Sequence, residues 1–475
     1  MWRLWRALPP LALAALLAAC ATTPAPSPPA AYEAPPQFKE DAIWKRAQAA
    51  QGAQGAQGAQ AAQSAPQAIG TDWWRVFGDP VLDDLERRLV IGNNNLRSAL
   101  AQVASARAAL DAAQAARWPT LSVSASRTAS KLQSLANPLT VQAQAAWEVD
   151  LWGRLAGAAQ VAGVSLQASQ DDLAAARLSA QATLVQSYFT LRMAEAQQAL
   201  LERSQAGYAR SLALTQARQG AGVAALADVL QARTQLESVQ AQIAEQRAQR
   251  AQAEHAIAVL LGEAPARLTI ERTAALPALP QVPPLLPSTL LERRPDIAAA
   301  ERRVAAAYAQ IGVADAAYFP QISLTAGAGL AGSSLAGLVS APTTAWTLGA
   351  SVVGAILDSG QRRLASAQAR AAAEQAGASY RQTVITALQE VEDSLVLVDQ
   401  LGSELSMQRR ALDAAQRNLD IVQEQYRAGT VSYLAVTTAQ TAALSAEASV
   451  ISAQARQLTA AGVLLKNIGG RWQDS

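Results

Sequence analysis

The chain has 475 residues, of which 51% are hydrophobic, 16% charged and 5% aromatic, and its formal net charge is +2. A nearly neutral chain lacks the basic surface that nucleic-acid binding requires, so we expect no nucleic-acid partner. A single cysteine excludes an intrachain disulfide, and one cysteine with one histidine excludes a conventional His/Cys zinc site. We therefore expect no metal and no catalytic cofactor.

The N-terminal residues 1–19 are predicted to be a signal peptide. Arg3 and Arg6 form a short basic region, and the apolar run at 8–19 is too short to span a bilayer. The run ends in Leu-Ala-Ala-Cys, the pattern of a bacterial lipoprotein signal, with Cys20 at the cleavage position. We predict a covalent lipid on Cys20, and the alternative is a plain secretory signal.

The segment after the signal is predicted to be a lipidated tether at 20–70, because it is rich in proline, alanine, glutamine and glycine. Lipoproteins that stay at the inner membrane typically have aspartate directly after the lipidated cysteine. This chain has Ala21 at that position, so the resemblance favours attachment to the outer membrane. The acyl chains would contribute about 0.8 kcal/mol for each methylene buried in lipid.

The rest of the chain contains an internal duplication. The stretch around Trp118 matches that around Phe319, and the stretch around Gly222 matches that around Gly429. The common order and nearly constant separation of these matches indicate two copies of one structural unit. The predicted segments are a first repeat at 71–270, a linker at 271–294 and a second repeat at 295–470.

Each repeat is predicted to contain a helix, a β-hairpin and a helical hairpin. A proline after Trp118 and after Phe319 ends the first helix, because the residue before proline is pushed out of the α region. Apolar residues then alternate with small polar ones, which predicts strands. In chain order the predicted elements are a helix at 95–116, a β-hairpin at 119–151, a helical hairpin at 155–261, a helix at 295–317, a β-hairpin at 320–357 and a helical hairpin at 361–466.

The long helix predicted after residue 361 has the apolar spacing of a coiled coil. The residues seven positions apart are Val384, Val391, Val398, Leu405, Leu412, Leu419 and Tyr426, with Leu388 and Leu395 between them.

Four strands are too few to close a membrane barrel, since known barrels have at least eight. Three copies would supply twelve. The predicted fold class is therefore mainly α with membrane β: a trimeric 12-stranded β-barrel, four strands per protomer, continuing into a long α-helical coiled-coil barrel. The alternative from the pattern alone is a helical coiled-coil rod with hairpins attached.

Two stretches resemble a known family. The first is Trp-Trp-Arg-Val-Phe-Gly-Asp-Pro-Val-Leu at 73–82, followed by Asn-Asn-Leu at 94–96. The second is Leu-Leu-Glu-Arg-Arg-Pro-Asp-Ile at 290–297, followed by Tyr-Phe-Pro at 318–320. Both resemble the TolC-like outer-membrane efflux factors in their NodT-type lipoprotein branch, and the resemblance covers about residues 71–470.

The resemblance implies a homotrimer that crosses the outer membrane of a Gram-negative bacterium and extends into the periplasm. It also implies docking with a periplasmic adaptor (membrane fusion) protein and an inner-membrane RND-type pump of a tripartite efflux system. The chain would be a passive exit duct for drugs or other small molecules. Because the pump supplies the energy, no catalytic residue is expected here.

The resemblance further implies a periplasmic gate at the two helical turns, which contain Gly222 and Gly429. An acid six positions after the first glycine is Asp228, and a tyrosine three positions before the second is Tyr426. In relatives such a pair can hold neighbouring coils together in the closed state. The alternatives are that Asp228 complements a helix dipole and that Tyr426 is the last residue of the coiled-coil seam.

A pore constriction is expected one turn further along. Relatives often have aspartate nine positions after the second glycine, but that position is Thr438 here. Leu434 precedes it by one turn and matches a hydrophobic constriction position. We therefore expect an uncharged narrowing formed by Leu434 and Thr438.

Other polar residues are interpreted as structural. Arg293 and Arg294 precede a helix start, Glu254 and its neighbouring histidine are expected on a solvated helix face, and the acids at 148 and 150 are expected to hold a strand–helix junction. Three alternative functions remain: a type I protein-secretion duct, a metal-efflux duct, and a non-conducting structural envelope lipoprotein. An enzyme is the least supported interpretation.

Overall fold

The computed structural model describes residues 35–41, 45, 72–127, 139–273, 275–280, 293–332, 334–340 and 342–469. The predicted signal peptide, the predicted lipidation residue Cys20 and most of the predicted tether lie outside these residues. Lipidation therefore stays a prediction.

The two halves of the chain contain the same series of elements. After a short 3-10 helix at Trp73–Phe77, the first half contains α1 (Pro80–Gly92), α2 (Asn94–Ala115), β1 (Thr120–Arg127), β2 (Leu139–Glu148), α3 (Arg154–Gly220) and α4 (Leu226–Leu260). The second half contains α5 (Pro295–Ala316), β3 (Gln321–Gly332), α6 (Leu335–Ser340), β4 (Thr343–Val353), α7 (Gln361–Arg427) and α8 (Tyr433–Asn467). The order helix, hairpin, long helix, second helix occurs twice, which confirms the predicted two-fold repeat.

Two helices, α1 and α6, were not predicted from the sequence. Helix α1 begins at Pro80, whose fixed φ suits a first helical position. The Asp79 carboxylate before it accepts hydrogen bonds from the N–H groups of Val81 (2.9 Å) and Leu82 (3.2 Å), as expected of an N-cap. Helix α6 lies between the two strands of the predicted hairpin at 320–357.

The four strands form one antiparallel sheet in the order β1-β2-β3-β4. The two predicted hairpins are joined through β2 and β3, with Leu139 opposite Gly332 and Glu148 opposite Ser323. Strands β1 and β4 are the edges. On β4, Trp346 is 79% exposed within this chain.

Matching aspartates begin the two longest helices. Asp150 accepts hydrogen bonds from two backbone N–H groups in the first turn of α3, at 3.1 and 2.7 Å. Asp358 accepts the N–H groups of residues 360 and 362 before and within α7, at 3.0 and 3.2 Å. Glu148 forms an ion pair with Arg154 at 2.7 Å. The two aspartates thus satisfy N–H groups at helix starts, and Glu148 connects the end of β2 to a side chain of α3. Both findings agree with the structural interpretation of 148 and 150.

The chain forms two compact units, each described by itself. The first contains Gln102–Gln170 and Ala299–Gln382 and includes the sheet. The second contains the described parts of Tyr32–Ala101, Asp171–Ala298 and Thr383–Ser475. Its largest fully buried side chains are Trp73, Arg192, Tyr188, Tyr433, Phe189, Leu82, Leu89, Leu184, Leu191, Ile257 and Leu261.

The predicted seam of α7 is buried over its first half within the second unit. Val384, Val391 and Val398 are at most 2% exposed. Leu412 and Leu419, further along the helix, are only half-buried. Among the described residues no helix is both long and apolar enough to cross a membrane.

A buried ion network in the second unit corrects one interpretation. The Glu195 carboxylate accepts from Arg192 at 2.6 Å and from Arg250 at 2.9 Å. Arg250 also donates to Glu254 (2.9 Å), which in turn accepts the N–H of Ile270 (2.7 Å). The expectation that Glu254 lies on a solvated helix face is therefore wrong, because the segment that follows α4 folds back over it. The neighbouring histidine is exposed.

Arg294 anchors the start of α5, in agreement with its interpretation as a helix-start residue. Its guanidinium donates to Asp296 at 2.7 Å and to Glu390 of α7 at 2.8 Å. Burial alone would raise the pKa of Asp296, but Arg294 holds that pKa below its usual value.

Candidate functional site at the two helical turns

The two helical turns have the same backbone geometry. Gly222 and Gly429 have φ values of +76° and +79°, a conformation that glycine adopts without steric cost. The N–H of Gly222 donates to the carbonyl of Gln219 (2.9 Å), and that of Gly429 donates to Tyr426 (3.0 Å). In each turn the next N–H bonds to the carbonyl five positions earlier, at 2.9 and 3.0 Å. This is the Schellman ending of a helix, made twice.

Tyr426 lies in a small apolar cluster beside the second turn. Its ring contacts the ring of Tyr433 edge-on, with centroids 5.6 Å apart. Ala232 of α4 and Val436 of α8 complete the buried cluster. Within the described part of the chain, the buried Tyr426 hydroxyl has no hydrogen-bond partner.

Asp228 lies in the first turn of α4 and is half-buried. Burial raises the pKa of the neighbouring Tyr433 phenol, and the Asp228 charge adds to this increase. The Tyr426 hydroxyl is not bonded to Asp228 within the described part of one protomer. The predicted pairing of these two residues across neighbouring coils stays a prediction.

Leu434 and Thr438 share one exposed face of α8. Leu434 is 65% exposed, and the Thr438 hydroxyl donates to the Leu434 carbonyl at 2.9 Å. Tyr433 and Val436 point into the protein from the same helix. Both residues predicted to line a constriction are thus exposed within the described chain, and neither has a charge. The constriction itself stays a prediction.

Arg218, in the last turn of α3, was not predicted from the sequence. Its guanidinium lies 4.6 Å from the centre of the Tyr426 ring and donates to the Tyr426 carbonyl at 2.7 Å. The only signal in the sequence is a cation near a helix C-terminus, which is common. Tyr433 was also missed, because the matching position of the first repeat is Leu226.

Two β-hairpins that form one sheet, each followed in the chain by a pair of long helices with a matched turn, are the elements of a class of envelope channel. Comparison with known proteins leads to the same class. The chain matches the family described as outer membrane efflux protein over residues 87–263 and 286–470. Toluene efflux pump outer membrane protein TtgI of Pseudomonas putida is 33% identical over 347 residues, covering 71% of this chain and 74% of TtgI.

Two further proteins are similar to this chain over most of its length. Cation efflux system protein CusC of Escherichia coli is 29% identical over 346 residues, covering 72% of this chain and 76% of CusC. The solved structure of the outer-membrane channel OprN matches with a TM-score of 0.80 at 29% identity, covering 94% of this chain and 100% of OprN.

The chain belongs to the outer membrane efflux protein family. It is an outer membrane protein of Gram-negative bacteria and acts as an efflux duct. The predicted family, the mainly helical fold class with a four-stranded sheet, the location and the duct function are confirmed.

Proposed function

We propose that the chain works as a homotrimer whose twelve strands close one barrel through the outer membrane. The observation that supports this most is the four-stranded sheet itself. Its edges β1 and β4 are unpaired within the described chain, and open edges are not tolerated in lipid. Pairing β1 of one protomer with β4 of the next satisfies both edges in a closed ring.

The exposed apolar side chains of the sheet support the same arrangement. Leu121 and Val123 on β1 are 74% and 72% exposed, and Trp346 and Leu348 on β4 are 79% and 77% exposed. Along β4 these residues alternate with threonine, glycine and serine. One face therefore suits lipid and the other suits a water-filled lumen.

The cargo we propose is a drug or another small molecule, delivered by an inner-membrane RND-type pump through a periplasmic adaptor. TtgI is named for toluene efflux. CusC is named for cation efflux, but three methionines and one histidine give this chain few soft metal ligands. The chain has no catalytic role in this proposal, because the pump supplies the energy.

The gate we propose lies at the turns that contain Gly222 and Gly429. The Tyr426 hydroxyl, which has no hydrogen-bond partner among the described residues, would be satisfied by Asp228 across neighbouring coils in the closed state. Leu434 and Thr438 would form an uncharged constriction. A lipid on Cys20 would add a second attachment to the outer membrane.

Efflux in cells tests the duct. The gene, expressed with its own adaptor and pump in a strain lacking its native outer-membrane duct, should restore resistance to hydrophobic drugs and solvents. Copper and silver resistance measured in parallel separates metal efflux from small-molecule efflux. Unchanged sensitivity to every compound, with the protein present in the outer membrane, would contradict the proposal.

Conductance and size test the trimer directly. The purified lipidated protein should have the mass of three chains in detergent and should give discrete conductance steps in planar bilayers. A monomer that leaves bilayers impermeable would support a structural lipoprotein instead. Cys20→Ala tests the anchor separately, since the barrel should still insert.

A further inference from the structure

The segment directly after β4 has the most exposed large apolar side chain among the described residues. Ile356 is 101% exposed, and the next residue, Leu357, is 90% exposed. Strand β4 pairs with β3 only as far as Val353, so residues 354–356 have no strand partner within the described chain. Backbone and side chains are thus both uncovered at this point.

The corresponding segment of the first repeat is paired. The N–H of Val149, just after β2, donates to the carbonyl of Ile322 at 2.9 Å. This bond continues the pairing of Glu148 with Ser323 by one residue. Val149 is half-buried. The end of the first hairpin is therefore covered by the first strand of the next repeat.

The two hairpins can be superimposed residue by residue because they have the same internal register. Thr120 lies opposite Ala146 in the first hairpin, and Gln321 lies opposite Val353 in the second. Each residue of β3 therefore has a counterpart in β1, and each residue of β2 has a counterpart in β4. The pairing of β2 with β3 is then a template for the two free edges of the sheet.

On this template Ile356 corresponds to Val149, and Leu121 corresponds to Ile322. We infer that β1 of a second copy of this chain binds β4 with the partner subunit's Leu121 opposite Ile356, and this rests on the proposed trimeric duct. The N–H of Ile356 donates to the carbonyl of the partner subunit's Leu121. Residues 354–356, which are irregular in one protomer, become the last part of β4 in the assembly.

The side-chain alternation of the two strands supports this register. It places the partner subunit's Leu121 beside Ile356 and the partner subunit's Ala125 beside Val352, all on the apolar face. A shift by one residue would place the partner subunit's Ser122 opposite Ile356. Because successive side chains point to opposite faces, that shift would set apolar residues against polar ones along the whole edge.

Disulfide cross-linking of the full-length lipidated protein in outer-membrane vesicles tests the register. Ser122→Cys combined with Ala355→Cys should give a covalent trimer on oxidation with copper phenanthroline. These positions form the pair next to the hydrogen-bonded one, where opposite Cα atoms lie about 4.5 Å apart. Within one chain β2 and β3 separate the two positions by about 14 Å, so the link cannot form inside a protomer.

A second pair in the same register guards against poor assembly of the first. Ser126→Cys combined with Ser351→Cys lies on the same face of the two strands, four residues further along each of them. It should also give a covalent trimer, and it replaces the first pair if that variant does not reach the outer membrane.

Shifted pairs are the controls. Ala355→Cys combined with Thr120→Cys or with Ser124→Cys keeps the face but changes the register by two residues, so it should cross-link at no more than about one-tenth of the rate. Ala355→Cys combined with Val123→Cys joins opposite faces and should not cross-link. Faster linking in a shifted pair overturns the register, and so does a trimer in which neither matched pair links. A wild type that is monomeric in the membrane contradicts the proposed trimer itself.

Discussion

At the scale of single residues, Glu86 in α1 is unusual because its side chain is fully buried. Neither carboxylate oxygen has a hydrogen-bond partner among the described residues. Burial raises the pKa of Glu86 to about 9, although the positive charge of Arg177 opposes this and Asp83 adds to it. The folded protein therefore holds this carboxyl protonated at neutral pH.

The raised pKa of Glu86 predicts a stability that falls as the pH rises. The unfolded chain loses this proton near its ordinary value of 4.5, whereas the folded chain keeps it to about 9. Between these values the folded state bears a growing cost, on the order of 3 kcal/mol at pH 7. Glu86→Gln has no carboxyl to titrate at this position. The melting temperature of the variant minus that of the wild type should therefore increase steadily from pH 5 to pH 9.

Thermal unfolding of the detergent-solubilised protein at pH 5, 7 and 9 measures this gain. Glu237→Gln is the control, because Glu237 has 61% of its side chain exposed and should show no such trend. A constant difference between Glu86→Gln and wild type across this pH range would contradict the raised pKa.

Residue-scale features also mark the limit of prediction from sequence. The turn glycines were predicted from the duplicated pattern around Gly222 and Gly429, which is a local signal. Leu434 was chosen through the family resemblance, and its role in a constriction stays a prediction. Arg218 was not predicted, because its partner Tyr426 is distant in the chain and becomes a neighbour only through folding. Glu254 was misjudged for the same reason, since the segment that covers it follows α4.

At the scale of elements, the first turn offers a matched pair of glycines. Gly220 has a helical backbone and Gly222 a φ of +76°, and neither has an atom within 4 Å of an added Cβ. Gly222→Ala should destabilise the protein by about 1 kcal/mol through its left-handed backbone. Gly220→Ala should stabilise it by about 0.5 kcal/mol by restricting the unfolded chain.

The opposite signs of these two changes can be measured by thermal unfolding under identical conditions. Because both sites are open, crowding cannot account for a difference between them. Equal destabilisation by both variants would show that the turn does not need a left-handed residue at position 222.

Element boundaries were predictable to different degrees. The strands and long helices follow from alternation and from the absence of proline, which are strong local patterns. Helix α1 was overlooked even though Asp79 and Pro80 are helix-start signals, because only a short segment follows them. The coiled-coil seam of α7 was predicted to run along the whole helix, yet Leu412 and Leu419 are only half-buried. The spacing of apolar residues shows which side of a helix is apolar, but it does not show which element packs against that side.

At the scale of the whole molecule, the proposed barrel predicts that a lysine is tolerated on one face of β4 and not on the other. Leu348 belongs to the apolar face and Thr347 to the small polar face. Leu348→Lys should cost about 2–4 kcal/mol if it meets the middle of the bilayer, whereas Thr347→Lys would point into water. The amount of trimer recovered from the outer membrane should fall sharply for the first variant only.

Quantifying trimer in outer-membrane fractions by gel mobility, with and without boiling, checks this prediction. Equal recovery of Leu348→Lys and Thr347→Lys would argue against lipid on the apolar face, and so against the barrel. Conductance of the Thr347→Lys trimer would show in addition whether that face borders the lumen.

The pairing of β2 with β3 has a consequence for biogenesis. Partners such as Leu139 and Gly332 are supplied by opposite halves of the chain, so the central pairing of the sheet waits until both halves have crossed the inner membrane. Contacts between distant residues form slowly, and unpaired strands aggregate. The first hairpin must therefore travel with both of its strands unpaired on their outer side. Holding chaperones of the periplasm should bind there until the second hairpin covers β2.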